Sequence, residues 1–331
     1  MTKRLYDNTR LAAHKRCPRY FFFRHVMHWA TAGTSRALIF GSAWHSAMDA
    51  VWPRLCAGDA SQQTVAEGYK AFVSTWVAEG GPHPDEMDYE QEKEFAPRTP
   101  GNALDMLFAY VAMRGPQLAK GFELLHTEKP FIVPLHPTDD DLFYVGKIDK
   151  LIRYRGKITG IEHKTTSLYK KDGGFRSTFT DSFSPNSQVD GYLYALHLLF
   201  PNKVGGVWVD GALVHRTEQA FMFIPLERRM EMLDAWLWET HQWIDQIETN
   251  KAELANVSKG DRYMHAFPKN TNSCFDYNTA CPYIYPCKAW PNPIGKEVPG
   301  DMEVTPWDPL EHIGKEDILN QLAQHTKGHK K

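Results

Sequence analysis

Tyr144–Thr166 reads YVGKIDKLIRYRGKITGIEHKTT, and its alternation decides the fold. Val145, Ile148, Leu151 and Tyr154 form a β-rich run, Arg155-Gly156 is a turn pair, and Ile158 to Ile161 begins a returning strand. Polar side chains break the pattern at Asp149, Glu162 and Lys164. A carboxylate inside a strand is costly unless water, a cation or a metal satisfies it. Because side chains alternate, Glu162 and Lys164 share a face while His163 points the other way. Two acids and an ammonium meeting at strand ends form a set able to hold a divalent cation and orient a water. Taken alone, a Glu-x-Lys pair is more commonly a solvated face with a weak ion pair.

The rest of the chain bears on that choice. With 331 residues, 42% apolar and 13% aromatic, it can bury a large core and is not disordered. The net charge of −2 announces no polyanion, but Lys3, Arg4, Arg10, Lys15, Arg16, Arg19, Arg24 and Arg36 crowd the first 36 residues against the acid Asp7. No apolar leader follows the start and no run reaches membrane-spanning length, which implies a cytoplasmic protein without membrane contact.

In order, Asn8 or Thr9 caps a helix running to about His28, broken near Cys17-Pro18. Tyr20 to Phe23 there read as a buried aromatic anchor. Leu38 to Leu55 has apolar residues at helical spacing and carries Gly41-x-x-x-His45, with Asp49 one turn on and read as structural. Gln62–Gly80 and Gly101–Gln117 are amphipathic helices, and the acidic, Pro-rich segment between them reads as a surface loop. Phe122 to Leu135 is a strand interrupted by the polar Glu128. Ser167–Ser187 mixes Tyr169, Lys170, Lys171, Arg176 and Phe179 around Gly173-Gly174. Such a loop suits contact with single-stranded nucleic acid, or is simply a mobile connection. Ser187–Phe200 is a helix with Gln188 and Tyr192 on one face. Gly205–His215 and Ala220–Leu226 are strands, and Glu227–Thr249 is a helix whose tryptophans belong to the core.

Cys274, Cys281 and Cys287 lie in a loop-rich stretch, 263–299, that has little core of its own. A metal held by thiolates would staple it. Cys17 is the obvious fourth ligand and Cys56 the alternative.

Gly41-x-x-x-His45, Gly146-x-x-Asp149, a twelve-residue interval, Glu162-x-Lys164, Gln188-x-x-x-Tyr192 and the split cysteine set occur in this order. Together they resemble the PD-(D/E)XK nuclease superfamily, in particular its RecB-like exonuclease branch with an iron–sulfur cluster (AddB-type and CRISPR-associated exonucleases). The resemblance implies a restriction-endonuclease-like α/β core with a mixed central sheet flanked by helices, a helical insertion and a cysteine cluster region. It implies one nuclease domain over 1–300, with a helical part at 38–120, a catalytic core at 122–226 and a tail at 301–331. His45, Asp149, Glu162 and the carbonyl of His163 would bind Mg²⁺ or Mn²⁺, and Lys164 would orient the nucleophile. Gln188, Tyr192, Lys170, Lys171 and Arg176 would meet DNA, and Glu128 would lie near the metal or the DNA, with a solvent-facing glutamate the alternative. Cys17, Cys274, Cys281 and Cys287 would hold a 4Fe–4S cluster, with Zn²⁺ the rival. The branch's usual first gap is two residues, whereas here it is six. The implied activity is end-directed cleavage of single-stranded DNA in recombination, repair or replication, with a helicase or recombinase as a partner. Two other readings stand beside it: a non-catalytic DNA-binding or assembly protein, and a cluster-containing redox sensor.

Overall fold

The two periodicities of the sequence, near 3.6 and near 2, become an α/β fold with a mixed sheet flanked by helices. The computed structural model describes residues 3–276, 279–314, 318 and 321. In chain order the elements are β1 (Arg4–Tyr6), α1 (Asn8–Arg16), α2 (Pro18–Phe21), β2 (Trp29–Thr31), α3 (Arg36–Cys56), α4 (Gln62–Ala78), α5 (Tyr89–Phe95) and α6 (Pro100–Gly121). Next come β3 (Phe122–Pro134), β4 (Leu142–Tyr154), β5 (Lys157–Thr166), α7 (Ser177–Thr180), α8 (Ser187–Leu199), β6 (Val204–Leu213) and β7 (Ala220–Leu226). The chain continues through α9 (Met230–Leu254), α10 (Ile284–Ala289), β8 (Met302–Val304) and α11 (Pro309–Ile313). Of the expected tail at 301–331, residues 315–317, 319–320 and 322–331 lie outside the described residues. Among the described residues no helix is long and apolar enough to cross a membrane.

The chain forms two compact units, one of residues 33–130 and 147–229, the other of 1–32, 131–146 and 230–331. In the first, β4 and β5 pair antiparallel, β5 and β6 parallel, and β6 and β7 antiparallel. Arg155 and Gly156 take φ of 47° and 79°, the left-handed pair that a tight hairpin requires. One sheet face, presenting Ile161, Ala212 and Val214, is buried under Trp44, Met48 and Trp52 of α3 and Leu107 and Tyr110 of α6. Near the other face, Leu196 of α8 reaches toward Gly160. Ser35 caps α3 and Thr99 caps α6. Gly68 lets α4 lie close to α3, since a Cβ there would come within 2.5 Å of the Val51 side chain.

The segment between α4 and α6 corrects the expectation of a plain loop. Asp88 accepts from Gln91 N at 2.8 Å while Gln91 Oε1 accepts from Asp88 N at 3.1 Å, a capping box that starts α5 despite the Pro-rich composition. At the chain start the cap is Asp7, which accepts from Arg10 N at 2.7 Å, rather than Asn8 or Thr9.

In the second unit, the N-terminal segment packs on residues after 230. The expected break falls at Cys17, which is extended, and Pro18 then opens α2, where its missing N–H costs nothing. Phe21, Phe22 and Phe23 are fully buried, with Phe21 stacked on Phe267 and Phe23 on both Trp29 and Tyr283. Arg19 Nε donates to the Phe267 carbonyl at 2.9 Å, and the Tyr283 hydroxyl donates to the Trp29 carbonyl at 2.5 Å. Gly146, which opens the Gly-x-x-Asp motif, has a packing reason to be glycine. A Cβ there would sit 2.5 Å from Cζ of the buried Phe131.

Candidate active site

The site is assembled in the unit of β5 and α3. Lys164 Nζ lies 2.5 Å from Glu162 Oε1, so the two side chains do share a face of β5. Asn186 caps α8 by accepting from Gln188 N and Val189 N, which sets the first turn beside Glu162. Gln188 Nε2 donates to Glu162 Oε1 and to the Tyr192 hydroxyl, each at 3.1 Å, and Tyr192 donates to the Lys147 carbonyl at 3.0 Å. Asp149 Oδ2 accepts the His163 backbone N–H at 2.8 Å and stands 3.2 Å from His45 Nδ1. Glu128 joins from β3, at a residue with φ of 52° that turns it out of the regular strand, and is paired with Lys147. Donor atoms of His45, Glu128 and Asp149 all lie within 4.8 Å of one another.

The ionisable groups of the site act strongly on one another. Burial alone would push the Asp149 carboxyl up, but the charge and hydrogen bond of His45, with His163 and Lys150, hold it well below the usual carboxylate range. Glu162 goes the other way, raised by burial and then by the Asp149 charge, against Lys164 and His45. Glu128 is also raised, chiefly by burial. Burial would pull His45 and Lys164 down, yet Asp149 and then Glu162 raise His45, and Glu162 and then Asp149 raise Lys164. Glu162 Oε2 is buried and has no hydrogen-bond partner. A buried carboxylate oxygen left unpaired beside a second carboxylate is costly. The chemistry of this donor set, oxygens plus one imidazole, fits a divalent cation such as Mg²⁺ or Mn²⁺.

His163 splits its roles. Its side chain is fully buried under Trp52, with ring centroids 5.5 Å apart, while its backbone N–H reaches Asp149. Asp49 is not among the converging donors; it pairs with the buried Lys150. Gln188 is half-buried and Tyr192 buried, both committed to the hydrogen bonds above. Lys170, Lys171 and Arg176 are exposed on a loop closed by a Tyr169–Phe175 bridge, where Arg176 Nε donates to the Tyr169 carbonyl at 2.9 Å. Sequence reading left Glu128 open between solvent and site. It passed over Asp210, although a lone carboxylate in the apolar run VGGVWVDGAL was a visible signal.

In the other unit, the half-buried Cys17, Cys274, Cys281 and Cys287 line one small cavity, together with Arg16, Tyr20 and Lys269. All four are free thiols. Cys17 Sγ accepts from Asn270 N at 3.2 Å, and Cys281 N donates to the Cys274 carbonyl at 2.8 Å. Burial pushes the Cys287 thiol up to about 11, against Lys269 and Arg19. Cys56 ends α3 in the first unit, its thiol also pushed up to about 11 by burial, and is not part of this lining.

A family model for the PD-(D/E)XK nuclease superfamily matches residues 8–288. Among solved structures, a "Putative exonuclease" from Eubacterium rectale is 15% identical, with a TM-score of 0.42 over 73% of this chain and 76% of that one. The structure of SSO0001 is 17% identical, with a TM-score of 0.23 over 46% of this chain and 68% of that one. No curated protein sequence matches.

The charge balance makes a prediction for the metal-free protein. His45 should titrate above the ordinary 6.5 in ¹H–¹⁵N spectra of the imidazole, and Asp149→Asn should move it down. A folded pKa above the unfolded one means the protonated pair adds stability below pH 6.5 that is lost as pH rises through the raised value. A wild-type His45 titrating below 6.5, or one indifferent to Asp149→Asn, contradicts this electrostatic account.

Proposed function

The chain belongs to the PD-(D/E)XK nuclease superfamily, and on that premise we propose that it is a Mg²⁺- or Mn²⁺-dependent DNA exonuclease acting on single-stranded ends. The observation that carries the reading is the convergence of His45, Glu128 and Asp149 beside the unpartnered, buried Glu162 Oε2. These four side chains and the His163 carbonyl would hold the cation. A cation bound there supplies Lewis-acid stabilisation of phosphate charge and makes a water more acidic.

The protein's own groups do the rest. The Lys164 ammonium, fixed against Glu162 Oε1 at 2.5 Å, orients the attacking water and offsets negative charge as it develops on the phosphate. Gln188 holds the same Glu162 oxygen, which leaves Oε2 without a partner and able to meet a cation. Tyr192 ties α8 to the Lys147 carbonyl, which keeps Gln188 in reach of the strand. Lys170, Lys171 and Arg176 are exposed cations able to meet phosphates, and the exposed Tyr169 offers a stacking face. The end-directed, single-strand preference follows the RecB-like motif order rather than any contact in the site.

The cysteine cavity is assigned to a 4Fe–4S cluster held by Cys17, Cys274, Cys281 and Cys287. The support is that Cys17 and three thiols more than 250 residues later in the chain line one cavity, with the cations Arg16 and Lys269 in the same lining. Such a cluster would fasten 263–299 to the N-terminal segment, with redox chemistry secondary.

Digestion of end-labelled single- and double-stranded DNA tests the activity. Shortening of the single strand from its ends should require Mg²⁺ or Mn²⁺, and Asp149→Ala or Glu162→Ala should lower the rate by about a hundredfold or more with DNA binding retained. Lys164→Ala should slow cleavage comparably while leaving metal affinity nearly intact. Near-normal turnover in either carboxylate variant at saturating Mn²⁺ sinks the assignment.

The cluster has its own test. Anaerobically purified protein should be brown and contain iron and sulfide in near-equal amounts. Alanine at Cys17, Cys274, Cys281 or Cys287 should remove the colour and lower stability, whereas Cys56→Ala should keep it. Colourless protein with stoichiometric zinc would make the site a zinc clasp.

A further inference from the structure

On the far face of the strand that carries Glu162 and Lys164 there is a second set of charges, wholly buried. Asp210 is the partner of His163 in the parallel β5–β6 ladder, so both side chains leave the sheet on one face. Asp210 is 1% exposed and Arg114, one of the α6 residues on that face, is 3% exposed. Arg114 Nη2 donates to Asp210 Oδ1 at 2.9 Å, and the Tyr110 hydroxyl donates to Oδ2 at 2.5 Å. Tyr110 and Arg114 stand one helical turn apart, which brings both to the same carboxylate. Trp52 Nε1 in turn donates to the Tyr110 hydroxyl at 2.8 Å, and the Arg114 guanidinium lies 3.7 Å from the centre of the Phe223 ring. His163 Nδ1 stands 3.3 Å from Asp210 Oδ2.

Stability alone does not account for this arrangement. Removing an arginine and an aspartate from water costs about as much as their attraction returns, and packed apolar side chains of like volume often do as well. What the set has is a connection to the site through His163. The side chain of that residue abuts Asp210, and its backbone N–H donates to Asp149 Oδ2 at 2.8 Å. His163 also stands between Glu162 and Lys164, so its main-chain torsions aim both neighbours. The His163 ring is buried between Trp52, with ring centroids 5.5 Å apart, and Asp210 Oδ2, 3.3 Å from Nδ1. The latter is a packing contact rather than an aligned hydrogen bond, and on one face of the sheet it restrains the peptide groups that serve the other.

We propose that Asp210, held by Arg114 and Tyr110, is a positioning residue that fixes His163 and thereby the orientation of the Asp149 and Glu162 carboxylates toward a divalent cation. This rests on the metal-dependent reading above, and deepens it by assigning a function to residues that touch neither cation nor DNA. The intervening position of the Glu-x-Lys motif is then not free: in this chain it must carry a side chain that Asp210 can hold.

The test measures Mn²⁺ binding by electron paramagnetic resonance on the intact protein, with cleavage of end-labelled DNA in parallel. Asp210→Asn should weaken Mn²⁺ binding and lower kcat by about 10–100-fold, with KM for DNA little changed. Tyr110→Phe, which keeps the ion pair and the ring, should act in the same direction by about 2–10-fold. In a His163→Leu background, Asp210→Asn should add less than about twofold, since the two residues act in series. The proposal falls if Asp210→Asn and Tyr110→Phe lower the melting temperature while Mn²⁺ affinity and kcat per folded molecule stay within about twofold of wild type. It falls equally if the effects of Asp210→Asn and His163→Leu simply add. Should Asp210→Asn fail to fold, Tyr110→Phe decides alone. A wild-type protein that cleaves nothing, yet binds Mn²⁺ more weakly once Asp210 is changed, would uphold the positioning role and sink the nuclease reading instead.

Discussion

The candidate site depends on three carboxyl groups gathered in a buried place where β4 and β5 meet. Asp149 is held ionised by His45, and that charge, with burial, pushes Glu162 the other way and leaves its Oε2 unpaired. Glu128 adds a third carboxyl group, raised by burial, with Lys147 as its local partner. The donor atoms of His45, Glu128 and Asp149 converge beside the unpartnered Glu162 Oε2, so a small cation of high charge is the natural complement. The surrounding structure serves to keep these groups together: the hairpin sets Asp149 against the His163 peptide, α3 brings His45, and α8 brings Gln188 to Glu162.

The other unit answers a different problem. Among the described residues of 263–299 the only α-helix is the short α10, and the segment meets the N-terminal part of the chain through specific contacts. Phe267 stacks on Phe21, Tyr283 on Phe23, and Arg19 reaches the Phe267 carbonyl. Four thiols line a cavity beside these contacts. The aromatic clasp and the thiol cavity draw on the same two segments of chain, so a metal centre there would reinforce packing that already exists.

The hairpin was legible because its apolar alternation is interrupted only by residues that carry chemistry, and a Gly after Arg155 marks the turn. His45 was legible once the helix face of Trp44, Met48 and Trp52 was set out. Glu128 was not, because its place depends on a left-handed residue that bends β3 and on strand pairing between residues far apart in sequence. Composition misled in the segment before α6, where Pro and Gly suggest a loop but a local capping box and acids in the first turn start a helix. The network of Trp52, Tyr110, Arg114 and Asp210 draws on three elements, so no window of sequence contains it. Local pattern predicts where polar residues interrupt an element, whereas which interruptions meet is decided by the register of β5 against β6 and by the packing of α6.

The most direct test of the cation site is anomalous diffraction from crystals soaked in Mn²⁺. The account predicts density for the ion bounded by His45, Glu128, Asp149 and Glu162, with Lys164 beside it and absent from its ligands. Density for Mn²⁺ at some other place in the chain, with this site empty at saturating concentration, would contradict it.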